Sequence, residues 1–406
     1  MISRLFLFNP TNELAIANGQ VSYMPPANLR RFESDLASLP WILSDEDDYI
    51  LVTHKEGNSL KHLSDYGWKI PSIVTAPEEI PEKVRLIFSP WGWSPAVYIK
   101  FKRFYHLAAP TWHTHPLARW SANSAQLLSR ETGYALLKEI ELIRRNYPDK
   151  YSQVEIPYLP VEVSSTAKLS EEFQKTEPPA LIKTQWSASG RGLFKIRDKK
   201  DNPAESDWIK GMLKRQGKLF IEQMLPKIQD VSFQFMIDDE IEYVGHNYFY
   251  TDPSGQFAGC AIGPPENSSS YFKDQAQISA ALKQGAEIVR EGLIRTEINK
   301  NYKGPAGVDG IFFINKQKEM KLQPCLEINL RYNMGLANIR LKKRIHPEAR
   351  GAWKTGLFKQ EKWQSFCKKK TQANPPVFEK GILRKGFLPM VSPDAEKLFG
   401  AWLDAE

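Results

Sequence analysis

Short apolar runs alternate with turns and amphipathic stretches over residues 1–118. The runs that predict strands are 4–8, 49–53, 85–89 and, more briefly, 108–109. Between the first two runs, residues 28–38 carry apolar side chains at helical spacing, which predicts an amphipathic helix. Strands and helices that alternate along a chain usually form a parallel sheet covered by helices. We therefore expect residues 1–118 to form an N-terminal α/β domain.

A different pattern occupies residues 119–406. Residues 121–146 show one apolar face at helical spacing and end before Pro148, which predicts a helix. Short strand-like runs follow, with one predicted helix at 274–293, a linker at 374–376 and one last strand at 381–390. The other runs predicted as strands are 161–163, 180–183, 193–196, 218–223, 231–237, 240–250, 307–314 and 321–329. Mixed short strands with few helices predict α+β construction here.

Composition excludes several classes of protein. With 42% hydrophobic and 25% charged residues, the chain is ordinary for a globular protein and is not predicted to be disordered. No apolar stretch reaches the ~20 residues of a membrane-spanning helix, so no membrane association is expected. The apolar start of the chain is interpreted as a buried strand rather than a secretory signal. Three widely separated cysteines favour a reducing cytoplasm over a disulfide scaffold.

The formal net charge of +8 is concentrated in one basic segment, residues 340–370. This segment holds eleven lysines and arginines against two glutamates. Three interpretations stay open: neutralisation of phosphates or an acidic substrate, a solvated helical face, and nucleic-acid binding. The aromatic residues within it are spaced like the buried face of a helix, which makes nucleic acid the least favoured partner. They are Trp353, Phe358, Trp363 and Phe366.

A lysine followed by a loop of small residues is the first chemical signal. Lys183 ends a predicted strand, and residues 184–192 (TQWSASGRG) lead into the next strand. Glycine and serine let a backbone approach a polyphosphate, and a lysine adds a point charge. The spacing is not that of a P-loop. Taken alone, a hairpin of small residues is the commoner meaning of such a segment.

Polar residues on one strand face are the stronger signal. Glu327, Asn329 and Arg331 alternate with apolar residues, so their side chains share one face of the predicted strand. The polar segment 315–320 predicts a turn between this strand and the one that carries Asp309. Because Asp309 and Glu327 are nearly equidistant from that turn, we expect them to be cross-strand neighbours in an antiparallel hairpin.

Two carboxylates beside an amide oxygen are ligands suited to Mg²⁺. Without a cation, the two carboxylates would repel each other. The alternative is a solvated strand face on which Arg331 neutralises the acids. We favour the metal site, because glycine-containing segments flank both strands.

Two further segments allow two interpretations each. The predicted strand at 218–223 has Glu222 near its end, and Asp230 follows eight residues later. This segment could bind a purine through its backbone and a ribose through a carboxylate, or it could simply be a strand with a polar end. Near the N-terminus, the polar cluster around Glu13 and the tryptophans Trp91 and Trp93 could contact a substrate. Turn formation and packing explain them equally well.

The order of these elements resembles the ATP-grasp superfamily. A lysine with a small-residue loop, a strand that ends in Glu, a Gly-x-Asp element and a Glu-x-Asn-x-Arg element follow one another between residues 121 and 335. The last element is the most specific. The resemblance implies an ATP-grasp domain at 119–406 with a mobile lid at about 155–222, preceded by the α/β domain that members of this superfamily commonly carry.

The resemblance also implies roles for matching residues. Nucleotide contacts are implied for Lys183, Ser189, Gly190, Gly192, Glu222, Gln223, Leu225 and Asp230. Magnesium ligands are implied at Asp309, Glu327 and Asn329, and a substrate contact at Arg331, which with Lys183 forms the expected catalytic pair. A second phosphate-binding lysine is expected before the lid. Arg130 is preferred over Lys138 for that position. Thr184 and Ala188 depart from the residues usual in the superfamily.

The activity implied by the resemblance is ligation that depends on ATP and on Mg²⁺ or Mn²⁺. A small-molecule or peptide carboxylate would be activated as an acyl-phosphate and joined to an amine, or to a thiol as in related ligases. Two rival functions stay open: a nucleotide-binding or regulatory protein without ligase activity, and a nucleic-acid-associated protein that uses the basic segment. The substrates and the oligomeric state are not indicated by the sequence.

Overall fold

The computed structural model describes residues 1–187, 192–200, 203–252, 257–263, 272 and 274–406. Near the N-terminus, four parallel strands form a sheet in the order β3-β2-β1-β4. These strands are β1 (Ile2–Leu7), β2 (Tyr49–Leu51), β3 (Ser72–Val74) and β4 (Arg85–Pro90). The α/β unit with a parallel sheet is therefore confirmed. Strand β3 escaped sequence analysis, and the strand predicted at 108–109 is a single bridge between Leu86 and Ala108.

Helices accompany this sheet and lead out of it. They are α1 (Asn12–Asn18), α2 (Ala27–Asp35), α3 (Lys61–Ser64), α4 (Pro95–Lys102), α5 (Ala122–Leu127) and α6 (Arg130–Asn146). The single helix predicted at 121–146 is wrong in detail, because the chain makes two helices there. Ser129 caps the second helix by accepting a hydrogen bond from the backbone N–H of Glu131. A side chain that caps a new helix start interrupts the preceding helix, and this start places Arg130 in the first turn of α6.

A nine-stranded sheet forms the largest part of the molecule, in the order β13-β12-β9-β10-β11-β14-β17-β16-β15. Its strands are β9 (Lys227–Ile237), β10 (Ile241–Thr251), β11 (Phe257–Ile262), β12 (Gly304–Ile314), β13 (Met320–Asn329), β14 (Gly351–Leu357), β15 (Val377–Glu379), β16 (Ile382–Pro389) and β17 (Phe399–Ala405). Each strand is antiparallel to its neighbours. The hairpin predicted for β12 and β13 is confirmed, and Asp309 pairs directly with Glu327.

Helix α9 (Gln275–Arg295) packs against the sheet and against α6. Two glycines allow this approach. A Cβ at Gly285 would lie 2.5 Å from Leu322 and 2.7 Å from Phe233, and one at Gly292 would lie 2.9 Å from Leu136. The resulting core fixes α6, and therefore Arg130, relative to the sheet.

A smaller sheet has the order β5-β8-β6-β7 and its own apolar core. Its strands are β5 (Val161–Val163), β6 (Ala180–Thr184), β7 (Leu193–Ile196) and β8 (Leu219–Gln223). Helices α7 (Thr166–Lys175) and α8 (Asp207–Gln216) complete it. In β6 and β8, Leu181 pairs with Glu222 and Lys183 pairs with Phe220. Lys183 and Glu222 are therefore diagonal neighbours on one face.

The basic segment is divided among several elements, and only part of it is the solvated helical face considered above: Lys368 and Lys369 are exposed on a helix. It contains the end of α10 (Met334–Lys342), strand β14 and the start of α11 (Trp363–Ala373). Its aromatic residues nevertheless pack inward: the ring centroid of Phe358 lies 5.0 Å from those of both Trp363 and Phe366. The strand predicted at 381–390 is β16, and it is followed by β17 rather than being the last strand.

The C-terminal strands share an apolar core with the N-terminal sheet. Trp41 is fully buried in this core, and its indole N–H donates to the carbonyl of Met390 at 2.8 Å. No helix in the described part of the chain is both long and apolar enough to cross a membrane.

We expect Trp41→Ala to lower the free energy of unfolding by about 3–5 kcal/mol, because it leaves a large cavity and removes the bond to Met390. Urea unfolding followed by circular dichroism measures this change. Leu142→Ala is the matched control, since Leu142 is 51% exposed on α6. An equal effect of the two substitutions would contradict the proposed role of this core.

Candidate active site

A cavity of about 620 Å³ lies between the nine-stranded sheet and the smaller sheet. One wall consists of side chains from β9, β10, β12 and β13, and the facing wall of side chains from β6, β7 and β8. Most of the residues predicted to be functional line it together: Arg130, Lys183, Glu222, Gln223, Leu225, Asp230, Asp309, Glu327, Asn329 and Arg331. These residues span two hundred positions of sequence, so only the fold brings them together.

The acidic pair is the centre of the cavity's polar wall. Asp309 accepts hydrogen bonds from the Ser232 hydroxyl at 2.5 Å and from the Asn329 amide at 2.9 Å. The amide of Gln234 in turn donates to the Ser232 hydroxyl at 2.7 Å. Glu327 lies opposite Asp309 on the neighbouring strand. β-Sheet register therefore fixes the positions of both residues, and side-chain hydrogen bonds also hold the carboxylate of Asp309.

Arg130 provides the positive charge nearest to Glu327. Its Nη1 lies 3.1 Å from Glu327 Oε2, while Nε donates to the Thr184 carbonyl at 2.8 Å and Nη2 to the Ser187 hydroxyl at 2.7 Å. This one guanidinium connects the start of α6, the end of β6 and the acidic pair. Lys138, the other candidate for this position, is exposed on α6 and does not line the cavity.

The two carboxyl groups of the pair respond differently to burial. Burial raises the pKa of Asp309 to about 7, against the hydrogen bond from Ser232, and the nearby charge of Glu327 acts in the same direction as burial. Burial also opposes ionisation of Glu327, but the charges of Arg130, Lys183 and Arg331 outweigh it and lower the pKa of this group. At neutral pH, Glu327 is therefore ionised, and Asp309 is close to its midpoint.

Lys183 and Glu222 form a buried ion pair on the facing wall. The strand that carries Glu222 leads into Gln223, Met224 and Leu225, which also line the cavity. Asp230 lies farther along, where the Lys227 ammonium approaches it to 2.6 Å. A lysine, an acid and a half-buried strand end on one wall face an acidic pair on the other.

Arg331 has a partner that the sequence did not indicate. Its Nε donates to Glu13 Oε1 at 3.0 Å, which joins α1 to the end of β13. Burial raises the pKa of Glu13, although the charge of Arg331 opposes this shift. The second carboxylate oxygen of Glu13 is buried without a hydrogen-bond partner. Separation by more than three hundred residues hid this contact from sequence analysis.

Of the three contacts predicted in the small-residue loop, only Gly192 falls within the described residues. Ser189 and Gly190 lie outside the described residues. Gly192 is described, but it does not line the cavity. A Cβ at Gly192 would lie 2.1 Å from the Thr184 hydroxyl and 2.3 Å from Ser187 Cβ, so glycine is required there for packing against the end of β6.

Sequence analysis missed several polar residues in this region. Ser232 and Asn247 line the cavity, and Gln234 is fully buried behind Ser232. On β9, Ser232 and Gln234 alternate with apolar residues. This period-two pattern was the signal that the sequence offered for them. Asn247 Oδ1 and Gln234 Oε1 are buried without a hydrogen-bond partner.

The residues present fit a magnesium ion that arrives with a nucleotide. Within the described part of the chain, no three His, Cys, Asp or Glu side chains are grouped to hold a metal alone. Mg²⁺ commonly uses one or two carboxylates together with substrate phosphates rather than an all-protein cage. Asp309, Glu327 and the amide of Asn329 supply such a partial set of oxygen ligands.

No family model matches the chain, and no curated protein matches it. Among solved structures, it is similar to N5-carboxyaminoimidazole ribonucleotide synthetase from Thermus thermophilus, with 13% identity, coverage of 100% of this chain and 94% of that chain, and a TM-score of 0.49. It is also similar to phosphoribosylamine–glycine ligase from Thermotoga maritima, with 12% identity, 100% and 90% coverage, and a TM-score of 0.47.

A third similar structure is N5-carboxyaminoimidazole synthase from Aspergillus clavatus, in complex with ADP and 5-aminoimidazole ribonucleotide. Its identity is 13%, with 88% of this chain and 93% of that chain covered and a TM-score of 0.45. Because TM-scores below 0.5 indicate only loose similarity, the function proposed below depends on the residues of the cavity.

We expect Asp309→Asn to raise the free energy of unfolding, and to raise it more at pH 8 than at pH 5. The pKa of Asp309 is raised from 3.8 to about 7, so the contribution of this group to the free energy of unfolding decreases as the pH rises through that interval. The side-chain amide of asparagine does not ionise, so the variant does not lose this contribution. Urea unfolding with EDTA at both pH values measures the difference.

Asp207→Asn is the control for this experiment, since the Asp207 side chain is fully exposed on α8. We expect its effect on stability to be the same at both pH values. An effect of Asp309→Asn that did not change with pH would contradict the raised pKa.

Proposed function

We propose that the chain is an ATP-grasp enzyme that uses ATP and Mg²⁺ to activate a carboxylate as an acyl-phosphate and join it to an amine. One observation carries this proposal: Lys183, Arg130, the acidic pair and Arg331 line a single cavity. Cations suited to phosphates, oxygen ligands suited to a divalent ion and a guanidinium suited to a carboxylate are thereby combined. We further propose the division into domains 1–118 and 119–406, with the lid at about 155–222.

The nucleotide would lie between the two sheets. Backbone groups of Gln223 and Leu225 would contact the adenine, and Asp230 would contact the ribose. The phosphates would then point toward Lys183 and Arg130. Because Lys183 is paired with Glu222, the phosphates would compete with that carboxylate for the ammonium group.

Asp309, Glu327 and Asn329 would hold the magnesium ion, which offsets the phosphate charge when bound. Arg130 forms an ion pair with Glu327 and offsets its charge. The same guanidinium is within reach of the Thr184 carbonyl at the end of β6, so it would link the lid to the phosphate site.

The reaction would proceed in two steps. A carboxylate oxygen held by Arg331 attacks the γ-phosphorus, a new oxygen–phosphorus bond forms, the bond to the β–γ bridging oxygen breaks, and ADP leaves. The amine nitrogen then attacks the acyl carbon, phosphate leaves, and the amine loses a proton. The smaller sheet, which belongs to the proposed lid, forms one wall of the cavity. Closure of this lid would limit hydrolysis of the acyl-phosphate by water.

A panel of small carboxylates tests this proposal, with hydroxylamine as the capturing amine. We expect release of ADP and formation of a hydroxamate that both depend on Mg²⁺. Binding of ATP without release of ADP for any member of a broad panel would instead favour a nucleotide-binding or regulatory protein. Failure to bind ATP would reject the proposal itself.

We expect Glu327→Gln to reduce hydroxamate formation by a factor of about 100 or more, because it removes a charged ligand from the site that offsets developing phosphate charge. Glu319→Gln is the matched control, since Glu319 is 56% exposed in the turn of the same hairpin. Circular dichroism would verify the fold of both variants. Near-normal activity of Glu327→Gln would contradict the metal assignment.

We expect Lys183→Met to weaken ATP binding at least about tenfold, because one charge-assisted contact to phosphate is lost. Isothermal titration calorimetry measures the dissociation constant. Lys168→Met is the control, since Lys168 is exposed on α7 of the same lid. Equal affinities for the two variants would remove Lys183 from the phosphate site.

A further inference from the structure

The cavity also includes a group of apolar side chains that the proposed nucleotide and metal contacts do not use. We call this region the apolar arm and define it by the lining residues Leu29, Phe32, Trp91, Phe257, Leu357 and Phe399. These residues come from α2, the end of β4, β11, β14 and β17. The arm therefore lies on the opposite side of the cavity from β13, which carries Glu327.

The walls of the arm are packed rather than loose. The rings of Phe32 and Phe399 meet edge to face with centroids 5.1 Å apart, and Trp91 meets Phe8 in the same way at 5.0 Å. Leu29 and Trp91 are buried, whereas Leu357 is 48% exposed. The arm is thus a preformed apolar recess whose outer end opens to solvent at Leu357.

Charge separates the arm from the rest of the cavity. The described lysines and arginines that line the cavity are Arg130, Lys183, Lys195, Lys227 and Arg331. None of them lies on α2, β11, β14 or β17. A phosphate ester or a second carboxylate in the inner part of the arm would therefore lack a cationic partner among the described wall residues, which is unfavourable.

Arg331 lines the same cavity as the arm and the acidic pair. Its side chain is 18% exposed and is oriented by the bond from Nε to Glu13 on α1. Thr11, just before α1, donates its hydroxyl hydrogen to Glu33 on α2, the helix that forms one wall of the arm. Thr11 and Asn28 add polar groups to the cavity near α2. A guanidinium and aromatic walls in one cavity match a molecule with one anionic end and an apolar body.

We propose that the acid substrate of this enzyme is a monocarboxylate with an apolar body of about the size of an aromatic ring. Its carboxylate contacts Arg331 beside the γ-phosphate, and its body fills the apolar arm. This inference rests on the proposed ligase function and names the class of carboxylate that the function uses. Aromatic bodies bury a large apolar area and stack on Phe and Trp side chains, which the arm provides.

The experiment uses 3-phenylpropionate as the probe, with succinate and 3-phosphoglycerate as charged comparisons and 2-phenylethylamine as the apolar amine. Calorimetry measures their binding to the protein saturated with Mg²⁺ and adenylyl imidodiphosphate. We expect 3-phenylpropionate to bind at least about tenfold more tightly than each of the other three. With ATP and hydroxylamine, 3-phenylpropionate should give the corresponding hydroxamate, ADP and phosphate.

Leu357→Glu places a carboxylate at the outer end of the arm, and because Leu357 is half exposed the fold should tolerate it. We expect this variant to bind 3-phenylpropionate at least about tenfold more weakly while its affinity for the nucleotide is unchanged. Leu142→Glu is the matched control, since Leu142 is equally exposed on α6 and outside the cavity. It should match the wild type with both ligands.

The nucleotide measurement separates the two proposals. If the wild-type protein does not bind the nucleotide, the ligase function is rejected. If it binds the nucleotide but not 3-phenylpropionate, only the assignment of the arm is rejected. Tighter binding of succinate or 3-phosphoglycerate would overturn the apolar class. Tighter binding of 2-phenylethylamine would assign the arm to the amine and overturn the proposal, as would equal behaviour of Leu357→Glu and Leu142→Glu.

Discussion

The structure depends on keeping two carboxylates, Asp309 and Glu327, side by side in a buried cavity. Their strands pair so that the two residues face each other, and burial makes ionisation of both unfavourable. Arg130 offsets the charge of Glu327 at 3.1 Å, and hydrogen bonds from Ser232 and Asn329 support Asp309. Such an arrangement is a poor way to stabilise a fold, since a half-buried acidic pair adds repulsion. It would become favourable on entry of the divalent cation and phosphates that we propose for this cavity.

The other elements of the fold position charged residues around this acidic pair. The α9 helix packs behind the sheet and against α6, so the core fixes the distance from Arg130 to the hairpin. The smaller sheet brings Lys183 opposite the acids, and the N-terminal α1 supplies Glu13 to orient Arg331. The C-terminal strands extend the same sheet and, with α2, add the apolar arm. Each group in the proposed reaction thus comes from a different part of the chain.

Sequence alone predicts what local periodicity determines. Alternation with period two and a polar turn were enough to place Asp309 against Glu327, because antiparallel register follows from the turn. The same periodicity misled at the basic segment, where aromatic residues on β14, a loop and α11 have spacings that resemble one helix. Likewise, a cap at Ser129 divided a helix whose apolar spacing appeared continuous. The contact from Glu13 to Arg331 and the apolar arm depend on chain crossings that no short pattern encodes, so both escaped prediction.

The most direct test is a crystal structure of the protein with ADP and Mn²⁺, recorded at a wavelength where manganese scatters anomalously. We expect one strong anomalous peak between β12 and β13, within about 2.0–2.4 Å of oxygen atoms from Asp309 and Glu327 and from the nucleotide phosphates. ADP bound elsewhere, or a manganese peak that none of these carboxylates contacts, would contradict the account.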